Sequence, residues 1–401
     1  MGEEEDGAAY FGVVSVFNPP EADVLVLVAV VAVELEPEPL EPQPAASSSA
    51  AQASAALHVD WRTVPRNFLT GSELSATELN ALLDRALALK AAPLSSQALA
   101  GRSVALIFQK PSTRTRLSFE VGIHELGGHP VVLRADELQL SRGEALRDTA
   151  YVLSRHVAAV GVRTGPDAML AELARYSDVP VINMLTALHH PCQALADLLT
   201  LREAYGSLEG VRVAYVGDGN NVARSLALLG ALAGMHVALA SPPGYTLDEQ
   251  APLPAPEGAA GTLELYTDPR EAVRDAQAVY ADVWVSMGDE ATAIDRPIGD
   301  QMLADRGSHL TPDRSIVQPG STIGQRRAAL APYVLDDALL DAAAPGAFAM
   351  HDLPAHPGEE ISAEVLYGSR QRIWDQAENR RHAQKALLEL LLAPAPGSSS
   401  S

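Results

Sequence analysis

From about residue 67 onward, stretches with apolar residues at helical spacing alternate with short apolar runs typical of buried strands. The segment 74–90 predicts an amphipathic helix, because its leucines and alanines recur at helical spacing. Short apolar runs bounded by turn residues predict strands over 104–108, 131–133, 159–162, 181–183, 212–216, 236–240 and 278–284. Longer periodic stretches predict further helices over 115–126, 144–154, 168–176, 194–205, 222–233, 269–276 and 377–392. This alternation favours an α/β fold with two doubly wound parallel-sheet domains, joined by long helices.

The first 65 residues break this pattern. Positions 1–60 carry eleven acidic residues and no Lys or Arg, together with a Pro/Glu stretch at 36–39 and an Ala/Ser tract at 45–56. Such compositions resist packing into a core, so we predict a disordered acidic extension over 1–65. The apolar run 24–33 follows acidic residues, which neither a secretory signal nor a transit peptide would have. A cytoplasmic protein is therefore expected, with a mitochondrion or plastid as the alternative if the extension is an atypical targeting segment.

The charge balance narrows the possible partners. The 401 residues include 29 basic and 51 acidic side chains, a net charge of −22. This balance argues against binding to nucleic acid or to an anionic membrane surface, although local arginines can still hold an anionic substrate. No apolar run is long enough for a membrane span. The single cysteine, Cys192, excludes intramolecular disulfides and cysteine-rich zinc sites.

In open α/β sheets ligands bind beyond the carboxyl ends of the strands, and one polar cluster follows the predicted strand 104–108. The string 112–116 reads Ser-Thr-Arg-Thr-Arg and opens a predicted helix. Hydroxyl groups, guanidinium groups and the free amides of a helix N-terminus together suit a phosphate group. The alternative is that the hydroxyls cap the helix and the arginines are solvated.

A second cluster opens the predicted helix 194–205. Proline suits the first helical position, so Pro191 marks the helix start. His190 and Gln193 are three positions apart and therefore share one face there. Two neutral donors there could polarise a carbonyl oxygen, as an oxyanion hole does. The alternative is a capping histidine and a surface amide. Cys192 points to a different face, where packing is the expected role.

Two more motifs follow predicted strands. Gly217 and Gly219 suggest a dinucleotide fingerprint, but Val222 stands where its third glycine would be, so nicotinamide binding is not predicted. Asp282 and Ser286 are four positions apart at a strand exit and lie on one side of it. The Asp282 carboxylate there could receive a cationic amine; alternatively it is a surface aspartate.

Taken in order, these motifs resemble those of the aspartate/ornithine carbamoyltransferase family. The matching strings are Ser112–Arg116, Asp148–Ala150, Val152–Arg155, His190–Gln193, Gly217–Asn221, Asp282–Gly288 and Glu378–Arg380. The Asp-x-x-x-Ser-Met-Gly string is similar to the ornithine branch rather than the aspartate branch. The resemblance covers roughly residues 67–392, apart from one insertion.

The resemblance implies a domain division and an activity. Residues 66–202 would bind carbamoyl phosphate, completed by a C-terminal helix at 377–393, and 203–376 would bind ornithine. The δ-amine of L-ornithine would attack the carbamoyl carbon, giving L-citrulline and phosphate in arginine biosynthesis, with no metal and no cofactor. A homotrimer is implied, because the family builds its sites between subunits and Gln139 matches the loop that reaches the neighbouring site.

The resemblance also assigns roles to individual residues. Carbamoyl phosphate would be bound by Ser112, Thr113, Arg114, Thr115, Gln139, Arg163, His190, Gln193, Leu353 and Arg380. The resemblance implies five catalytic residues near the reacting atoms: Arg114, Arg163, His190, Gln193 and Asp352. Ornithine would be bound by Asn221, Asp282, Ser286 and Met287.

Two departures from the family pattern keep alternatives open. The usual His-Cys-Leu-Pro string is here His351-Asp352-Leu353-Pro354, and a carboxylate would favour the unreactive ammonium form of the attacking amine. The stretch between Met287 and His351 is longer than the family spacing by about thirty residues, with the excess near 289–325. A carbamoyltransferase for another amine, or an impaired paralogue with a binding or regulatory role, are the alternatives.

Overall fold

The computed structural model describes residues 66–134, 137–247, 258–285 and 323–393. The predicted acidic extension, Ser286, Met287 and most of the predicted insertion lie outside these ranges. The described residues all belong to one compact unit, which holds two parallel sheets. Within the described ranges, no helix combines the length and the apolarity that crossing a membrane would need.

The first sheet has four parallel strands in the order β2-β1-β3-β4. They are β1 (Ser103–Phe108), β2 (His129–Arg134), β3 (Ala159–Arg163) and β4 (Val181–Leu185). The helices of this half are α1 (Ala76–Ala91), α2 (Thr113–Glu125), α3 (Leu146–Ser154) and α4 (Asp167–Tyr176), with a 3₁₀ turn at Gln139–Arg142. Strand β1 is almost wholly buried, as expected for a central strand covered on both faces.

The second sheet has five parallel strands in the order β7-β6-β5-β8-β9. They are β5 (Arg212–Val216), β6 (His236–Ala240), β7 (Thr262–Tyr266), β8 (Ala278–Ala281) and β9 (Phe348–His351). Its helices are α6 (Asn221–Leu232), α7 (Pro269–Ala272), α8 (Ile323–Leu330), α9 (Asp337–Leu340) and α10 (Ala363–Tyr367), with a 3₁₀ turn at Ala331–Tyr333. The strand order reverses around β5, which creates the crevice where such sheets bind ligands.

Two long helices connect the sheets. Helix α5 (Pro191–Tyr205) is buried along most of its length, and helix α11 (Ile373–Leu392) packs against α5, α1 and α2. One continuous apolar cluster runs from Phe68 through these helices to Tyr215 and Phe348 of the second half. The two halves therefore share a core, and this core fixes the α5 and α11 side chains that face the strand ends.

The predicted fold class of two parallel α/β sheets is confirmed, while several element boundaries were wrong. Strands β7 and β9 were not predicted, because β7 is a largely exposed edge strand and β9 has only four residues. Strand β8 ends at Ala281 rather than at 284, and α11 begins at Ile373 rather than at 377. The residues after Ala281 are buried without strand pairing, so their apolar character misled the prediction.

Candidate active site

The polar string after β1 lies where the sequence placed it, at the start of α2. The Ser112 hydroxyl caps the helix by accepting a hydrogen bond from the Thr115 amide at 3.3 Å. Capping holds the first turn of α2 at the strand exit, with Thr115 buried and Arg114 half-buried. Burial lowers the pKa of Arg114, and the nearby carboxyl groups of Asp352 and Asp282 oppose this shift.

Arg163 lies at the exit of the neighbouring strand β3. Its backbone is in register with Phe108, so the two strand ends lie side by side. Burial, with the positive charges of Arg380 and Arg114, lowers the Arg163 pKa to about 10. Its Nε atom is buried and has no hydrogen-bond partner among the described residues. A buried guanidinium beside two others is unfavourable by itself, and an anion would relieve it.

Arg380 on α11 joins the starts of α2 and α5. Its guanidinium donates to Thr115 Oγ1 at 2.7 Å and to Gln193 Oε1. Only 2% of Arg380 is exposed, and burial lowers its pKa although Asp352 opposes the shift. Arg380 thus fixes the orientation of both side chains. The sequence alone does not predict these contacts, because Thr115, Gln193 and Arg380 are far apart along the chain.

His190 stands at the start of α5 as a neutral imidazole. It is 2% exposed, and burial together with the Arg380, Arg163 and Arg114 charges holds its pKa well below the ordinary value. Its backbone amide donates to Ser225 Oγ at 2.7 Å, which pins the residue to α6. The Nδ1 atom has no hydrogen-bond partner within the part of the chain that is described. The neutral ring can therefore hydrogen-bond to a ligand at neutral pH without first losing a proton.

Gln193 belongs to a buried network that the sequence analysis missed. Its amide nitrogen donates to Asp197 Oδ1 at 2.8 Å, and Gln376 donates to the same oxygen at 2.7 Å. The Tyr280 hydroxyl lies 3.3 Å from that oxygen and accepts a bond from Gln376 at 2.9 Å. Burial raises the Asp197 pKa to about 7. The sequence signal for this network was Asp197, a charged residue four positions after Gln193 within an otherwise mostly apolar helix.

An acidic pocket adjoins these arginines at the exits of β8 and β9. Asp282 is 5% exposed and accepts a 2.6 Å hydrogen bond from Asn220 Nδ2. Burial and the neighbouring Asp352 carboxyl group raise the pKa of Asp282 well above its ordinary value. A second carboxyl group so close disfavours the charged form of Asp282, and a cationic group in the pocket would relieve this.

His351 supports the Asp352 side of this pocket. Its Nδ1 atom accepts from the Leu353 amide at 2.8 Å, and Nε2 lies 3.3 Å from Glu360 Oε1. Leu353 has a positive φ of 64°, which is unusual for a bulky residue and typical of functional sites. The turn after β9 is therefore held in one conformation, with Asp352 directed towards Asp282.

The acidic pocket is also the described group that comes nearest to a metal site. Ligand atoms of Asp282, His351 and Asp352 lie within 4.8 Å of one another. Both His351 nitrogens are already engaged by Leu353 and Glu360, and Asp282 Oδ2 accepts a hydrogen bond from Asn220. A metal ion would have to displace the His351 contacts, whereas an ammonium group could donate hydrogen bonds to the carboxyl oxygens directly.

The remaining predicted residues have mixed outcomes. Asn221 Nδ2 donates to the Thr186 carbonyl at 2.7 Å, at the junction of the two halves. Asn220, which was not predicted, bonds to Asp282 and caps α6 through its side-chain oxygen. A polar residue just before a helix was the missed signal. Gln139 is exposed on its 3₁₀ turn. Ser286 and Met287 lie outside the described residues.

The fold and the site together define one class of protein. It has two parallel α/β sheets, and a cationic pocket and an acidic pocket adjoin at their strand ends. Two family profiles match the chain: aspartate/ornithine carbamoyltransferase, carbamoyl-P binding domain, over residues 66–203, and the Asp/Orn binding domain over 209–391. The chain belongs to the aspartate/ornithine carbamoyltransferase family, as the motifs predicted.

Named relatives place the chain within this family. It is 49% identical over 341 residues to the ornithine carbamoyltransferase of Acidothermus cellulolyticus, covering 83% of this chain and 98% of the relative. The ornithine carbamoyltransferase structure from Pyrococcus furiosus is 42% identical, with a TM-score of 0.70 over 82% of this chain and 97% of the other. An N-acetyl-L-ornithine transcarbamylase mutant structure is 30% identical, with a TM-score of 0.66 over 81% and 99% of the two chains.

Proposed function

We propose that this protein transfers the carbamoyl group of carbamoyl phosphate to the δ-amine of L-ornithine, producing L-citrulline and phosphate for arginine biosynthesis. One observation carries the proposal: three buried or half-buried arginines face a pair of carboxyl groups across one site. The two charged pockets match a dianionic phosphate donor and a cationic amine acceptor. Relatives named ornithine carbamoyltransferase, at 42–49% identity, support this choice of substrates.

The cationic pocket would hold the phosphate. Ser112, Thr113 and Thr115 offer hydroxyl or amide donors at the start of α2, where the helix dipole also favours an anion. Arg114 and Arg163 would neutralise the charge that grows on the phosphate as the bond to the carbamoyl carbon breaks. Arg380 would act beside them and keep Thr115 in place.

The carbamoyl oxygen would lie between the starts of α2 and α5. The neutral His190 ring can donate a hydrogen bond to it, and Gln193 and the Leu353 backbone would complete the carbamoyl site. The amine nitrogen attacks the carbamoyl carbon, and negative charge collects on the carbamoyl oxygen. The oxygen's electron pair then returns, and phosphate leaves with the bonding electrons. The nitrogen of the new C–N bond gives up its extra proton, which the departing phosphate can take.

The acidic pocket would hold the amino acid through Asp282, Asn221, Ser286 and Met287. The attacking amine must first lose a proton, and a free alkyl ammonium has a pKa of about 10.4. Asp352 lies beside Asp282, and two carboxyl groups at this place stabilise the ammonium form of the amine. We therefore expect turnover that rises towards alkaline pH.

The assembly and the location in the cell belong to the same proposal. A homotrimer would bring the exposed Gln139 into a neighbouring subunit's site, and the exposed Leu117, Tyr151 and Val152 offer apolar surface for subunit contacts. The N-terminal half through about 202 with the C-terminal helix would form the carbamoyl-phosphate domain, and 203–376 the ornithine domain. We propose a cytoplasmic enzyme without nucleic-acid or membrane partners, in keeping with the net charge of −22.

The test is citrulline formation by the purified full-length chain from carbamoyl phosphate and L-ornithine. We expect steady turnover and tight binding of a bisubstrate mimic that joins a phosphonate to the ornithine carbon chain. The absence both of turnover and of binding of carbamoyl phosphate or the mimic would refute the proposal. Calorimetric binding of carbamoyl phosphate without turnover would instead identify an impaired paralogue.

Asp352 favours one second candidate, a carbamoyltransferase for a different amine. A carboxyl pair beside the reacting nitrogen suits an acceptor that carries more positive charge or another geometry there. The N-acetyl-L-ornithine transcarbamylase relative supports variation of the acceptor within this fold. Assaying L-lysine, putrescine and N-acetyl-L-ornithine beside L-ornithine decides between the candidates, since the preferred acceptor will have the highest kcat/KM.

A further inference from the structure

Arg326 is a buried arginine whose role none of the motifs above explains. It lies in the first turn of α8, and 7% of it is exposed. Its guanidinium binds the Asp218 carboxylate through Nη2 and the Trp284 carbonyl through Nε. It also stands over the Tyr245 ring, 5.2 Å from the ring centre. The next residue, Arg327, is exposed and pairs with Glu359 at 2.8 Å.

The Asp218 contact reaches the loop between β5 and α6, which carries the predicted ornithine residue Asn221. Asp218 is 4% exposed, and its carbonyl accepts from the Asn220 amide at 2.8 Å. The loop also packs closely on its other side, because a Cβ at Gly219 would meet the backbone of Leu247 at 2.7 Å. The position of Asp218 therefore sets the positions of the asparagines that follow it.

The Trp284 contact reaches the strand exit that carries Asp282. Trp284 is two residues beyond Asp282 and follows β8 without strand pairing. Its carbonyl therefore depends on a bond from outside the sheet, and Arg326 supplies one. Asn220 then closes the link by donating to Asp282 at 2.6 Å. One guanidinium thus ties together the two segments that meet at the acidic pocket.

We propose that Arg326 is a positioning residue for the amino-acid substrate, fixing the Asp218–Asn221 loop against the Asp282–Trp284 strand exit. This inference rests on the proposed function and adds a residue that does not touch the reacting atoms. A planar guanidinium can bond to a carboxylate and a carbonyl at once, whereas an ammonium group on a flexible stem holds such geometry poorly. Without Arg326, the Asp218 carboxylate would be buried with no cation beside it among the described residues, and the loop would shift towards water.

Loss of Arg326 should affect the binding of one substrate, ornithine. The described residues assigned to carbamoyl phosphate lie at the starts of α2 and α5, on the 3₁₀ turn at Gln139–Arg142, on β3, in the turn after β9 and on α11. None of them bonds to Arg326. The loop and the strand exit carry the residues assigned to ornithine. Loss of Arg326 should therefore weaken ornithine binding and leave carbamoyl-phosphate binding nearly unchanged.

The experiment compares Arg326→Gln, Arg326→Lys and the control Arg327→Gln in steady-state citrulline assays. For Arg326→Gln we expect the KM for ornithine to rise about tenfold, while the KM for carbamoyl phosphate stays within about twofold. Arg326→Lys should recover part of the loss, because it keeps the charge beside Asp218. Arg327→Gln should match the wild type.

Folding is checked separately by thermal melting with and without carbamoyl phosphate. If Arg326→Gln does not fold, the pair Asp218→Asn with Arg326→Gln removes both buried charges, and the same rise in the ornithine KM is expected. An unchanged ornithine KM in a folded Arg326 variant, or an equal rise for both substrates, overturns the inference. If the wild-type chain itself forms no citrulline, the proposed function fails instead, and the inference falls with it.

Discussion

The cationic pocket and the acidic pocket are neighbours built in different ways. The cationic pocket starts from one continuous string, Ser112–Arg116, whose helix cap places Arg114 and Thr115 beside a strand end. The acidic pocket has no such string, because Asp282, Asn220 and Asp352 come from three separate strand exits. A local motif can be recognised from its letters, whereas a convergent site exists only after folding.

The pockets share an electrostatic device with opposite signs. Burial lowers the pKa values of Arg114, Arg163 and Arg380, and neighbouring arginine charges add to this shift at Arg163 and Arg380. Burial, together with the neighbouring Asp352 carboxyl group, raises the pKa of Asp282. In both places like charges are held close in a buried site, and a substrate of opposite charge relieves the repulsion. Each pocket therefore favours a ligand of opposite charge, whatever its detailed contact geometry.

The largest expected effect is on the cationic pocket, through Arg114→Ala. Removing this half-buried guanidinium should lower kcat/KM for citrulline formation by about 10³-fold, because it takes away charge stabilisation of the leaving phosphate. The measurement is steady-state kinetics with carbamoyl phosphate varied. The matched control is Arg116→Ala on the same helix turn, since Arg116 is exposed and pairs with Glu120 at 2.8 Å. Equal losses in both variants would contradict the assignment.

An intermediate effect is expected in the acidic pocket, through Asp352→Cys. With Asp352 present, two carboxyl groups face the bound ammonium and raise its pKa, so less of the reactive neutral amine exists near pH 7. The replacement should raise kcat near pH 7 about tenfold and move the alkaline rise of the pH–kcat profile down by about one unit. Asp352→Asn, which removes the charge without adding a thiol, should shift the profile in the same direction. No gain from either change would show that Asp352 does not restrain the amine.

The smallest effect concerns Asp197, which supports Gln193 between the two pockets. Its folded-state pKa is raised from 3.8 to about 7, so the folded chain holds a proton that the unfolded chain has lost. The resulting stability is complete below about pH 4 and is lost as pH rises towards about 7. Asp197→Asn should therefore raise the Tm near pH 8 by roughly 2–5 °C and change it little near pH 4. Asp178→Asn, at an exposed aspartate, is the control, and a Tm gain of equal size at both pH values would contradict the prediction.

Much of the cationic pocket could be predicted, because its parts are coupled to secondary structure. Strand periodicity locates the end of β1, a capping serine locates the start of α2, and ligands gather at such strand ends. The same reasoning placed His190 and Gln193 at the start of α5. It could not give the network around Asp197, since the partners Gln376 and Tyr280 come from distant parts of the chain.

The sequence by itself determined the two parallel sheets, the family and the identity of the phosphate string, because these depend on local periodicity and on the order of short motifs. Only the tertiary structure decided that Arg380 bonds to Thr115 and Gln193, that Asp352 lies beside Asp282, and that Arg326 ties two loops together. Each of these depends on which distant groups are buried side by side. Burial sets the strength of charge interactions and the cost of an unpaired group, and no single stretch of sequence records it.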